Sequence, residues 1–209
     1  GTRPARSGRN TSAPRPRESP VRIVAGRNRG RALLAPEGID IRPTADRARQ
    51  AVFDVLAHNP EMPGRLLSDA IVLDAFAGTG AMGLEALSRG AQRCTFLDRD
   101  QRAIACLRAN AQALHELSRA SFLRADATQP PVAPQPATLA FLDPPYGKNL
   151  CTPALAALAE SGWFAPGAIV VVEHDSGEAI EDLPGFQDIE SRRYGRAQFL
   201  FLRYGEAAS

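Results

Sequence analysis

Ile71-Val72-Leu73-Asp74-Ala75-Phe76-Ala77-Gly78-Thr79-Gly80-Ala81-Met82-Gly83-Leu84-Glu85-Ala86-Leu87 is the stretch on which the fold turns. Its first three residues read as a buried strand, and Asp74 follows them directly. Gly78, Gly80 and Gly83 then lie in a G-x-G-x-x-G spacing that runs into a helix through Leu84, Ala86 and Leu87. Glycines at such a turn let the backbone pass close to a ligand. They also open a helix whose amino end attracts negative charge.

Downstream the same alternation repeats. Arg93 to Leu97 reads as a second strand ending at Asp98, an acid placed to accept hydrogen bonds from ribose hydroxyls. Gln101 to His115 is predicted helical, with Ile104, Leu107, Ala111 and Leu114 on one face. Ser121 to Arg124 is a third strand that closes near Asp126 and Ala127. A Pro-rich connection over Gln129 to Pro136 leads to a fourth, Leu139 to Leu142. A helix over Ala154 to Ala159 and a strongly apolar strand over Ala168 to Val172 follow, the strand ending at Glu173-His174-Asp175. Gln187 to Tyr194 and Ala197 to Tyr204 read as a closing antiparallel pair around Gly195. Alternating strands and helices predict an open, mostly parallel α/β sheet, whose ligands gather at the carboxyl ends of its strands. The glycine turn, Asp98, Asp126 and Asp143 all fall at such ends, so they converge on one site.

The fourth strand stops abruptly at Asp143-Pro144-Pro145-Tyr146-Gly147-Lys148. Two consecutive prolines fix φ and remove two N–H donors, so the segment can neither extend a ladder nor enter a helix. It becomes a stiff loop presenting one carboxylate, outward carbonyls and one ring. That set suits an exocyclic amine on a flat base: carboxylate and carbonyl accept the N–H hydrogens while Tyr146 stacks on the ring.

Working back toward the amino end, His58 to Leu67 reads as a linker. Ala48, Val52 and Leu56 give one buried helix face, which leaves Arg47 and Arg49 toward another. Thr44 is a candidate N-cap and Asp46 sits in the first turn, where a negative charge is favourable. Val21 to Ala25 and Arg31 to Leu34 flank a turn at Gly26-Arg27-Asn28-Arg29-Gly30, which reads as a β-hairpin with arginines at its tip. Residues 1–20 are rich in Arg, Pro, Ser and Thr and are expected to be disordered. The organisation is therefore a basic extension over 1–20, a hairpin and helix unit over 21–65, and the α/β domain over 66–209.

The 209 residues carry a net charge of only +2, unevenly spread. Residues 1–50 hold twelve arginines against four acids, and the remainder is net acidic. A basic arm on a mildly acidic domain fits a phosphate-rich partner, and arginine fits bidentate phosphate contacts; a solubilising tail is the other reading. No apolar run is long enough to span a membrane. The amino terminus lacks the apolar segment of a secretory signal. Cys94, Cys106 and Cys151 have neither zinc-ligand spacing nor an even count, and His58, His115 and His174 form no ligand pattern. No metal site is predicted, and a reduced, cytoplasmic setting fits.

The glycine pattern with Asp98 suits a nicotinamide dehydrogenase and an S-adenosylmethionine enzyme alike, since both bind adenosine through a glycine turn and a strand-two acid. Two features favour the second. Asp74 stands immediately before the turn, where it could act on the cationic amino group of a methionine moiety. Asp143-Pro144-Pro145-Tyr146 has an evident use in amine methylation and none in hydride transfer.

Leu73-Asp74-x-Phe76-Ala77-Gly78-x-Gly80-x-x-Gly83-Leu84-Glu85-Ala86-Leu87-Ser88-Arg89-Gly90-Ala91, with Asp143-Pro144-Pro145-Tyr146 and the upstream Arg42-Pro43-Thr44-x-Asp46-Arg47, resembles the RsmD family over about residues 21–204. These are bacterial guanine-N2 methyltransferases of small-subunit (16S) ribosomal RNA. The resemblance implies a Rossmann-like class I S-adenosylmethionine-dependent methyltransferase fold. Its seven-stranded, mostly parallel sheet would have an antiparallel last strand, with a small amino-terminal β-hairpin and helix unit that helps hold RNA. It further implies transfer to the guanine N2 amine by Asp143, Pro144, Pro145 and Tyr146, on an assembled or assembling 30S particle. By position, Phe76, Ala77, Gly78 and Gly80 would lie along the cofactor's methionine and ribose, Asp98 on the ribose, and Asp126 with Ala127 near the adenine. Thr44 either reaches the methionine carboxylate or simply caps its helix. Arg27, Arg29, Arg31, Arg42, Arg47 and Lys148 are the candidate RNA contacts, and a monomer is expected. Three features depart from the family pattern: Ala25-Gly26 replaces a glycine pair, Asp98 stands where Glu is frequent, and residues 1–20 lie outside it. A DNA or RNA adenine-N6 methyltransferase is the nearest alternative, but no segment remains for a DNA-reading domain. An RNA-binding assembly factor without catalysis is a further one.

Overall fold

The computed structural model describes residues 17–36 and 45–206. Arg42, Thr44 and residues 1–16 of the extension lie outside the described residues. The chain opens with a two-stranded antiparallel hairpin, β1 (Arg17–Arg22) and β2 (Ala32–Ala35), followed by helix α1 (Ala45–His58). β1 begins inside the segment expected to be disordered. Pairing of Arg17 with Ala35 and of Glu18 with Leu34 gives its backbone the partners that composition does not reveal.

The main sheet is built from β3 (Ile71–Ala75), β4 (Arg93–Asp98), β5 (Ala120–Arg124), β6 (Ala137–Leu142), β7 (Phe164–Asp175), β8 (Phe186–Tyr194) and β9 (Ala197–Tyr204). Helices α2 (Ala81–Ser88), α3 (Gln101–Ala113) and α4 (Cys151–Glu160) alternate with the first strands. The spatial order is β5-β4-β3-β6-β7-β9-β8, and only β9 runs against its neighbours. This is the Rossmann-like, mostly parallel seven-stranded sheet with a reversed last strand that the resemblance implies.

Strand side chains alternate between two cores, because the period of a strand is two. Val72, Leu139, Phe141, Ile169 and Val171 face α1, α2 and α3, whereas Leu73, Ala140, Leu142, Val170 and Val172 face α4. Val21, Ile23, Leu33, Val52 and Phe53 from the amino-terminal unit sit in the first of these cores. The Phe53 ring lies 5.6 Å from that of Phe141 on β6. Hairpin and α1 are thus a layer on the sheet, and the boundary expected near residue 65 does not divide two cores.

Two features of this layer differ from expectation. Arg49, predicted to lie away from the buried face, is only 2% exposed. It is one helical turn from Phe53 and faces α2, where its Nε donates to the buried Glu85 at 3.2 Å, while its Nη2 donates to Asp46 on its own helix at 2.9 Å. A buried guanidinium is tolerable only with such partners. The hairpin turn is also docked. Glu85 accepts from the Val24 and Ala25 amides at 2.8 and 3.2 Å, and Ser88 Oγ accepts from the Asn28 amide at 2.9 Å. Gly26 has φ +84°, and a Cβ there would lie 2.0 Å from the Ser88 carbonyl oxygen, so only glycine lets the chain come this close. Among the described residues no helix is long and apolar enough to cross a membrane, and the three cysteines are free and buried.

Candidate active site

The register of three neighbouring strands brings the sequence features together. Ala75, the last residue of β3, pairs with Leu97 on one side and Leu142 on the other. Phe76, Asp98 and Asp143 therefore leave the sheet side by side, from its carboxyl edge. They share a cavity of about 300 Å³ with Asp126, Ala127 and Pro144. That is the lower end of the range for small-molecule sites.

The turn that forms one wall has three residues with positive φ: Phe76 at 58°, Gly78 at 56° and Gly80 at 80°. Phe76 lines the cavity and is the only one with a side chain, and an aromatic residue in this region is strained. The turn is held from below. Asp74 is buried, and its Oδ2 accepts from the Gly83 amide at 2.9 Å. Burial pushes the Asp74 carboxyl up to about 8, and the neighbouring charge of Asp98 adds to this. Asp74 is not among the residues lining the cavity, and its carboxyl braces the start of α2. The reason is packing. A Cβ on Gly83 would meet Phe96 at 2.5 Å and Cys94 at 2.6 Å, so α2 lies directly against β4 and closes over the Asp74 side chain.

Asp98 lines the cavity and orders two loops at once. Its Oδ2 accepts from the Gly78 amide and its Oδ1 from the Asp100 amide, both at 2.9 Å. Each carboxylate oxygen keeps a further lone pair for a hydroxyl. Asp126 accepts from the Thr128 amide at 2.8 Å and its hydroxyl at 2.7 Å, and these bonds hold its carboxyl below the usual carboxylate range. Ala127 is buried beside it, and the Ala77 amide donates to the Leu97 carbonyl at 3.1 Å. The cavity thus combines acidic acceptors with an apolar floor. Arg99, Asp100 and Leu150 also line it. Their proximity to the strand-two acid and the proline loop was the available signal, but residue type alone did not separate them from ordinary loop positions.

On the opposite wall Asp143 is exposed and Pro144 buried. The loop is tied to β7 and the turn after it: the Tyr146 hydroxyl donates to Glu173 Oε1 at 3.3 Å, and the Gly147 amide to Glu178 Oε1 at 2.5 Å. Neither acid is identifiable from the sequence as a support of this loop, because both lie about thirty residues downstream.

The candidate RNA contacts do not share one surface. Lys148 is exposed in the Asp143 loop and Arg47 on the first turn of α1. Arg27 and Arg31 reach the carboxyl ends of two helices, donating to the Leu87 carbonyl at 3.4 Å and the Ala113 carbonyl at 2.9 Å. Arg27 also pairs with the buried Glu116 at 3.4 Å. Cations at helix carboxyl ends are favoured by the dipole. α3 starts beside the cavity residue Asp100 and ends where Arg31 holds it. Its thirteen residues at 1.5 Å rise put the hairpin turn, with Arg29, about 20 Å from the cavity. Any phosphates these three arginines grip therefore lie about 20 Å from the cavity and not beside the substrate base. They sit at the other edge of the sheet.

Comparison with known proteins agrees with this architecture. The family model described as conserved hypothetical protein 95 matches residues 21–203. Ribosomal RNA small subunit methyltransferase D of Escherichia coli (strain K12) is 33% identical over 171 residues, covering 78% of this chain and 79% of that protein. The protein of the same name from Haemophilus influenzae is 35% identical over 169 residues, covering 77% and 81% respectively. Among solved structures, yhhF from Escherichia coli superimposes with a TM-score of 0.76 at 30% identity, covering 90% of this chain and 99% of that one. The chain belongs to this family, that of the ribosomal RNA small subunit methyltransferase D proteins.

Proposed function

We propose that the protein transfers a methyl group from S-adenosylmethionine to the exocyclic N2 amine of a guanine in small-subunit (16S) ribosomal RNA. The observation that carries this reading is the register of β3, β4 and β6, which opens the glycine turn, Asp98 and the Asp143-Pro144 loop into one cavity. The names of the relatives support a ribosomal RNA substrate.

The residues fit the cofactor. Asp98 and Asp126 offer acceptors for hydroxyl and amine hydrogens, and Phe76, Leu97 and Ala127 offer an apolar bed for a purine. When bound, S-adenosylmethionine supplies an electrophilic methyl carbon, which the amine nitrogen takes while the sulfur keeps the bonding pair. The backbone of Phe76, Ala77, Gly78 and Gly80 orients that group, and Asp74 acts through the turn as a positioning residue.

A guanine N2 amine is a weak nucleophile because its lone pair is delocalised into the ring. The Asp143 carboxylate and the Pro144 carbonyl accept its two hydrogens, which favours a pyramidal nitrogen with its lone pair aimed at the methyl group. Pro145 stiffens the loop and Tyr146 stacks on the base, worth about 1–3 kcal/mol. The nitrogen loses a proton after transfer, to Asp143 or to water. Most of the acceleration comes from holding nitrogen, carbon and sulfur in line. The guanine must leave its stack, or be unpaired, to reach this loop. The enzyme acts as a cytoplasmic monomer on assembled or assembling 30S particles.

Radiolabelled methyl transfer to methylation-deficient small subunits, naked small-subunit RNA and duplex DNA tests this. Label on guanine N2 of the RNA is expected. Label on adenine alone would replace the reading with the adenine-N6 alternative.

A further inference from the structure

Reversal of β9 has a consequence for the surface around the cavity. Because β9 runs against both β7 and β8, β8 points the same way as the parallel strands. The turn joining β8 to β9 therefore lies at the carboxyl edge of the sheet, with Asp143, and carries Arg192-Arg193-Tyr194-Gly195-Arg196. It also stands above the cavity floor. β6 pairs with β7 only as far as Leu142 and Val172, whereas β7 and β9 stay paired up to Asp175 and Ala197. Three further residues at about 3.3 Å each raise the turn roughly 10 Å beyond the end of β6. β9 and β8 are two and three strands away from β6, which at about 4.8 Å per strand is roughly 10–14 Å to the side.

We infer that this turn is a phosphate-binding surface for the RNA strand flanking the target guanine, with Arg192, Arg193 and Arg196 as its contacts. The inference rests on the RNA-methyltransferase reading and adds where the strand is held. All three side chains reach solvent, that of Arg192 at 53% exposure and that of Arg196 at 88%. Among the described residues each side chain has one partner. Arg192 pairs with Glu190, Arg193 Nε donates to the Gly195 carbonyl at 3.1 Å, and Arg196 Nη2 donates to Asp175 at 3.4 Å. A guanidinium carries five N–H donors, so one partner orients the fork and leaves the others for phosphate oxygens. Tyr194 anchors the turn through its ring, 5.9 Å from that of Phe199. The distances set a strand running a few nucleotides outward from a base seated against Tyr146. The arginines of the amino-terminal turn lie at the other edge.

The test is the double variant R193E/R196E in the full chain, with R93E, exposed at the amino end of β4, as the matched control. RNA affinity is read by fluorescence anisotropy on a labelled single-stranded fragment of small-subunit RNA, across a salt series. The affinity of R193E/R196E is expected to fall at least about tenfold near 0.1 M salt. The slope of log K against log salt should shrink by about 1.4, from two lost phosphate contacts at 0.7 each. S-adenosylmethionine binding should not change, and R93E should stay within about twofold of wild type. The milder R193Q/R196Q should move the slope in the same direction, which separates loss of contact from repulsion. Wild-type affinity and slope in R193E/R196E would overturn the surface assignment while leaving the methyltransferase reading intact. Loss on whole small subunits with unchanged affinity for naked RNA would also overturn it, assigning the turn to a ribosomal protein. Absence of methyl transfer to RNA by the wild-type enzyme would instead remove the reading on which this inference rests.

Discussion

Replacing Asp143 with alanine isolates the chemistry. The side chain is exposed, on a loop whose prolines and whose ties to Glu173 and Glu178 remain in place. A surface substitution of this kind should change stability by no more than about 0.5 kcal/mol. On the proposed role, the reaction loses one charge-assisted hydrogen bond to the amine, worth about 1.5–3 kcal/mol. Realised in the transition state, that is a fall of roughly ten- to 150-fold in the rate of transfer. The assay is single-turnover transfer from labelled S-adenosylmethionine to methylation-deficient small subunits, with cofactor affinity measured separately by calorimetry. Cofactor affinity should stay within about threefold, since the turn, Asp98 and Asp126 are untouched. Asp143→Asn keeps an acceptor but no charge, and should fall between alanine and wild type. Transfer by Asp143→Ala within about twofold of wild type would refute the role given to this carboxylate.

Three further outcomes follow from particular contacts. Glu173→Ala removes the acceptor of the Tyr146 hydroxyl; KM for RNA should rise about three- to tenfold, with Glu173→Gln restoring most of it, because a hydrogen bond of this type is worth about 0.5–1.5 kcal/mol. Gly26→Ala forces a Cβ into the Ser88 carbonyl at positive φ; urea unfolding should show a loss of at least about 1–3 kcal/mol. Asp74 holds its proton up to about pH 8 when folded, against an ordinary value of 3.8. The folded state then binds more protons between these values, so its contribution to stability is full below about pH 4 and declines as pH rises toward 8. Asp74→Asn, measured across that range, should lose less stability with rising pH than wild type; parallel curves would show that the buried carboxyl is not the source.

Strand identities, the glycine turn and the proline loop were legible from local sequence, because each rests on short-range rules: period-two burial, positive φ, and the geometry of consecutive prolines. Their meeting in one cavity followed from the general property that parallel α/β sheets collect ligands at strand ends, and the pairing of Ala75 with Leu97 and Leu142 bears it out. Direction and partner were another matter. Asp74 and Asp98 look alike as acids at strand ends, yet one braces α2 from beneath and the other lines the cavity, because α2 presses on β4 at Gly83. Arg27, Arg49 and Arg193 are equally basic in sequence. Long-range docking puts one on a helix end, buries another against Glu85, and carries the third to the carboxyl edge on a reversed strand. Sequence alone determined which chemical groups the chain would present at bends and strand ends. Only the tertiary structure decided which of them face the same space, since strand order and strand direction depend on pairings between residues far apart in the chain.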